Sequence, residues 1–180
     1  MFSRKSSHKK TQSSSEKPSD KKGKKTKTPN NTGASCSTIH LTIFVFRGQP
    51  DVYYKRHVLV YFTSPEIPSF HETVHARRKD ETSRWELDQI HGAMNWPQSL
   101  TYLSHVNAGA VQVSKGAEMV PVNIIAATPV QGRDQDSGWN CQNFLLEGLQ
   151  GIVNYGLQTQ EWYQFVEEEL VDHLLDGASA

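Results

Sequence analysis

A chain of 180 residues with two cysteines and 36% apolar residues has room for one domain and some tail, and it excludes a disulfide-stapled scaffold. Its formal net charge of zero conceals two opposite parts: residues 1–38 carry ten Lys or Arg against two acids, a net of +8, and the remainder is −8. The longest apolar stretch, around Ile43 to Phe46, is far too short to span a bilayer, so no integral membrane segment is expected.

Residues 1–38 read as a disordered basic tail. Only Met1, Phe2, Ala34 and Cys36 are apolar there, too little surface to offset about 1–2 kcal/mol of backbone entropy per residue. The run Lys21-Lys22-Gly23-Lys24-Lys25-Thr26-Lys27 suits a nuclear address or a patch for nucleic acid or an anionic surface, or simply a solvated leader. No aromatic residue is interleaved with the lysines, so base stacking is not indicated. No apolar h-region follows Met1, and the cysteines are few. Both points favour an intracellular chain, cytoplasmic or nuclear.

The pattern changes at the start of a single domain, residues 39–177. His40 to Phe46 is rich in β-branched and aromatic residues and stops at Gly48 and Pro50, as a strand does. Arg56 to Phe62 predicts a second strand, ended by Pro65 and Pro68, and Phe70 to Ala76 a short third. Trp85 to His91 and Tyr102 to Val113 are further strand candidates, and Met119 to Ala127 fits either a strand or a buried helix. After Gly138 the period becomes helical, with a stripe of Phe144, Leu145, Leu149, Ile152 and Val153. Asp136 or Ser137 is the expected cap, and Gly156 the expected stop. A second helix follows Thr159, with a stripe of Trp162, Phe165, Val166, Leu170 and Leu174. Strands first and helices last imply an α+β fold: a small antiparallel sheet packed by C-terminal helices.

Within this frame Cys141 is the candidate nucleophile. It falls in the first turn of the first C-terminal helix, where unpaired N–H groups and the positive dipole end favour a thiolate and lower the thiol pKa. It is also in phase with Phe144 and Leu145, so the same position suits a buried thiol that only packs. His57 weighs on the side of chemistry, because it opens an apolar strand where an imidazole has no packing purpose. His75 closes the next strand eighteen residues later and is the candidate to orient His57.

These residues resemble the circularly permuted papain-like thiol enzymes, in which the histidine strand precedes the cysteine helix. The lecithin–retinol acyltransferase-like branch is similar at His57-Val58-Leu59-Val60-Tyr61, Thr73-Val74-His75, Asn140-Cys141-Gln142-Asn143-Phe144 and Tyr155-Gly156. The PPPDE isopeptidases are similar in their His-led strand and Asn-Cys-Asn-x-Phe helix. A group of fungal proteins of uncharacterised activity resembles the chain over residues 40–176, through Arg56-His57 and Asp136 to Gln142. The chain departs from the acyltransferase-like pattern at Gln142 and Asn143, where that branch has Glu and His. The resemblance implies a cysteine-dependent hydrolase or acyltransferase working through an acyl-enzyme on a protein or other acyl substrate. In it, Cys141 is the nucleophile, His57 the base and His75 the orienting group. The alternative is an inactive binding domain on the same scaffold, tethered by its basic tail.

No metal site is expected from His71, His75, His91 and His105, which do not cluster tightly, and no P-loop or dinucleotide fingerprint implies a cofactor. Glu167, Glu168 and Glu169 read as a solvated helix face.

Overall fold

The computed structural model describes residues 35–179, so the expectation for the tail up to residue 34 lies outside the described residues. Five strands come first: β1 (Cys36–Phe46), β2 (His57–Thr63), β3 (His71–Arg77), β4 (Glu86–His91) and β5 (Tyr102–Ser114). They form one antiparallel sheet in the order β4-β3-β2-β1-β5. Three helices follow, α1 (Val120–Ala126), α2 (Cys141–Asn154) and α3 (Gln160–Leu175), which makes the fold α+β.

Alternation along β1 sends Ile39, Leu41, Ile43 and Val45 into one core with Phe144, Leu145, Leu149 and Ile152 of α2 and Val166 and Leu170 of α3. The intervening Phe44 and Phe46 join Leu59 in a second, smaller cluster, against which Tyr61, Trp96 and Tyr102 pack. Strand β1 is therefore covered on both faces, which explains its unbroken apolar run. The strand also takes in Cys36, Ser37 and Thr38, which composition groups with the tail. Ser37 is buried in phase with Ile39, and its hydroxyl donates to Glu118 at 2.7 Å. Opposite Leu41 the β1–β5 register shifts, and Gly109, at φ +78°, supplies the left-handed residue at that irregularity.

The stretch that fits strand or helix is α1, with Pro121 in its first turn and Val122 and Ile125 buried. α1 meets α2 at Gly148, where an added Cβ would lie 2.8 Å from Ile125 Cγ2 and 3.2 Å from Thr128 Oγ1. Gly148→Ala should therefore lower stability by about 1–3 kcal/mol through overpacking. The measurement is the urea midpoint, and an unchanged midpoint would show that the two helices can slide apart at little cost.

The start of α2 is a correction. Its cap is Asn140, not Asp136 or Ser137, because residues 133–138 are spent on a 3₁₀ turn and a left-handed Gly138. The Asn140 side chain accepts from the Gln142 and Asn143 N–H groups, and Asn143 Oδ1 accepts from the Asn140 N–H at 3.0 Å. The helix ends as expected at Gly156, with the Leu157 N–H donating to the Ile152 carbonyl. In α3, Val166, Leu170 and Leu174 are buried but Phe165 is exposed. At 100° per residue Phe165 lies roughly 140° from the centre of that stripe, so it turns outward.

Candidate functional site

The site forms where β2 and β3 part. Their ladder runs from Thr63↔His71 to Val60↔Val74 and stops short of His57 and His75. The first turn of α2 meets the chain at this split, and the backbone around His57 turns to it for partners.

Cys141 is buried, and its Sγ lies 3.8 Å from the Arg56 carbonyl, to which the thiol donates. The Val58 N–H points at the same sulfur, so the thiol touches the backbone on either side of His57. The next residue reinforces the contact. Gln142 Nε2 donates to the Tyr53 carbonyl at 2.7 Å and to the Arg56 carbonyl at 2.9 Å, closing the segment before β2 onto the helix start. Arg56 holds that segment from behind. Its guanidinium, 1% exposed, is bidentate to Asp51 and donates to the carbonyls of His173, Leu174 and Asp176 at the end of α3.

Burial pushes the Cys141 thiol up to about 11, overriding the pull of the Val58, Cys141 and Gln142 N–H groups. The sequence expectation was the reverse. Helix-start N–H groups do face the sulfur, but desolvation of a nearly enclosed thiolate is the larger effect.

The histidines are directly joined. His57 Nε2 lies 2.8 Å from His75 Nδ1, and His75 Nε2 lies 3.2 Å from Asp88 Oδ2. Arg77 Nε approaches the same Asp88 oxygen at 3.0 Å. Burial, then the neighbouring His75, lowers His57 to about 3. Burial also lowers His75, against the opposing pull of Asp88. Both rings are therefore neutral imidazoles at neutral pH. Strand alternation turns the His57 ring toward Phe46, with 6.3 Å between ring centroids, and away from the Val58 side that packs on α2. No hydrogen bond joins Cys141 to His57 among the described residues. They share one groove.

That groove, about 1100 Å³ and open to solvent, is lined by Cys141, His57, the exposed Tyr53 and Tyr54, and a wall of paired tryptophans. Trp85 and Trp139 meet edge to face at 5.4 Å, with Arg78 4.7 Å over the first ring and Arg133 4.8 Å over the second. Trp139 Nε1 donates to Glu147, which also pairs with Arg133.

The chain matches no family model, no curated protein and no solved structure. What the site can do therefore rests on its own geometry.

Three other histidines lie apart from it. His71 bonds to Tyr61 at 2.7 Å, His91 pairs with Glu72 at 2.6 Å, and His105 bonds to Tyr102 at 2.8 Å. Among the described residues no group of three or more His, Cys, Asp or Glu is placed to hold a metal ion. Nor, among them, is any helix long and apolar enough to cross a membrane. Sequence reasoning missed Asp88, Gln142 and the structural role of Arg56. The signal for Asp88 is the β3–β4 register, which sets His75 opposite it.

Proposed function

We propose that this chain is a cysteine-dependent hydrolase or acyltransferase on a circularly permuted papain-like scaffold, with Cys141 as nucleophile, His57 as base and His75 as its orienting partner. One observation carries the reading. His57 is tethered to His75 at 2.8 Å by one ring nitrogen, and the backbone on both sides of His57 touches the Cys141 sulfur. A base held by a third group, one strand residue from a helix-start thiol and opening on the same groove, supplies the parts that nucleophilic catalysis uses.

With the thiol near 11 and the imidazole near 3, the resting pair is neutral, not a thiolate–imidazolium pair. Proton transfer then accompanies attack. As the sulfur bonds to the substrate carbonyl carbon, the S–H proton reaches His57 Nδ1 by way of a groove water, because the ring stands on the opposite face of β2 from α2 and its Nε2 is engaged by His75. The developing oxyanion meets the backbone N–H of Cys141, since those of Gln142 and Asn143 are taken by the Asn140 cap. The tetrahedral intermediate then collapses: the bond from the carbonyl carbon to the leaving group breaks, the imidazolium gives that group its proton, and an acyl-thioester remains for water or another acceptor. An open groove lined by tyrosines and charged side chains suits a polar donor, such as a peptide amide or isopeptide, better than a buried lipid chain.

The test uses an activated ester probe at neutral pH in a Cys36→Ser background, which removes the other, exposed thiol. Mass spectrometry should find one acyl group on Cys141, none in Cys141→Ala, and a rate lower by about 10²-fold or more in His57→Gln. Equal rates with and without His57 would sink the reading. The second reading, a binding module with a packing cysteine, is favoured by the burial of Cys141 and its high pKa, and it predicts no acylation in the folded protein.

A further inference from the structure

Two bonds on the far side of His57 fix where its protons sit. A carboxylate can only accept, so at 3.2 Å from Asp88 Oδ2 the His75 Nε2 carries a hydrogen and donates it. A neutral imidazole has one N–H, which leaves His75 Nδ1 bare. His57 Nε2, 2.8 Å from that bare nitrogen, must then be the donor, and His57 Nδ1 is left with its lone pair free. We infer that Asp88 is a positioning residue of this site, acting through His75 to hold His57 in the tautomer whose Nδ1 can take a proton. Without the carboxylate, the same two rings can bond in the reverse sense, with His75 Nδ1 donating to His57 Nε2. His57 would then carry its hydrogen on Nδ1 and have no basic nitrogen to offer.

Asp88 is well placed for this task and for little else. It sits on β4, directly opposite His75 in the β3–β4 register, so the bond needs no bend in either strand. Its Oδ2 also receives Arg77 Nε, whose side chain is largely exposed, so the pair reaches solvent and contributes little to the core. The use of the free nitrogen rests on the proposed thiol chemistry. The tautomers are a property of the resting protein and can be read without any substrate.

The experiment records long-range ¹H–¹⁵N spectra of histidine-labelled full chain at pH 7.5, with assignments from His57→Gln and His75→Gln. Wild type should show both rings neutral, His57 and His75 each protonated on Nε2. In Asp88→Ala the His57 signal should move toward the Nδ1–H form, and acylation of Cys141 by the ester probe should slow at least about tenfold. Asp88→Glu, which keeps an acceptor, should recover both readouts in part. A wild-type His57 protonated on Nδ1, or tautomers unchanged in Asp88→Ala, overturns the inference. Tautomers that shift as described in a protein whose Cys141 never acylates would uphold the role of Asp88 and overturn the thiol-enzyme reading instead.

Discussion

Replacing Arg56 with methionine should lower the unfolding free energy by about 3–5 kcal/mol, a large share of the stability of a domain this size. Methionine fills much of the same volume, so the loss measures bonds more than packing. Arg56 is 1% exposed and makes two bonds to Asp51 and three to the carbonyls of His173, Leu174 and Asp176. Removing it strands those carbonyls at the end of α3 and takes from Asp51 the partner that holds its carboxyl below the usual range. Arg56→Lys keeps the charge but not the planar fork, and should recover less than half of the loss. Urea unfolding of the three proteins at pH 7.5 checks this. A cost below about 1 kcal/mol for Arg56→Met would mean that water replaces the guanidinium and that the segment Tyr53–Arg56 is not held from behind. The prediction reaches the site, because the Arg56 carbonyl is the acceptor for both Cys141 Sγ and Gln142 Nε2.

Much of the fold was legible in the sequence, and the failures share a cause. Strands β1, β2 and β3 announce themselves through β-branched runs stopped by Gly and Pro, and α2 and α3 through their stripes and stops. These are local signals. The residues that escaped prediction depend on distant partners. Asn140 is as good a cap residue as Asp136 or Ser137, and only the turn at 133–135 decides among the three. Phe165 sits next to the stripe residue Val166 in sequence, but its helical angle places it outside the buried face. Asp88 reads as one acid among several until the sheet register sets it against His75. For Cys141 the local argument gave the wrong sign. A helix start is worth about 0.3–1 kcal/mol to a negative charge, whereas each unit of pKa raised by burial is about 1.4 kcal/mol. The enclosure that raises the thiol to about 11 comes from the whole core and cannot be read from Asn140-Cys141-Gln142 alone.

Acidification should weaken this protein well before its carboxylates titrate, and His57 should account for much of the loss. The folded chain holds His57 at about 3, below the 6.5 of an unperturbed imidazole, and His75 is lowered as well. An imidazole depressed on folding binds its proton more tightly in the unfolded chain. Its contribution to stability is therefore full above pH 6.5 and is lost as pH falls toward 3. For His57 alone the loss by pH 5 is about 2 kcal/mol, since the unfolded form is by then mostly protonated and the folded form is not. His75 adds to it with the same sign. The salt-bridged carboxylates, held below their usual range, contribute losses of their own only at lower pH, which leaves the window from 6.5 to 5 to the histidines. His57→Gln removes the titrating ring, and its unfolding free energy should change less between pH 7.5 and pH 5 than that of wild type, by about 2 kcal/mol. Urea melts of both proteins at the two pH values supply the comparison. Parallel losses would mean that His57 is protonated in the folded protein as readily as in the unfolded one. An imidazolium at rest could not accept the Cys141 proton, and the base would have to be sought elsewhere.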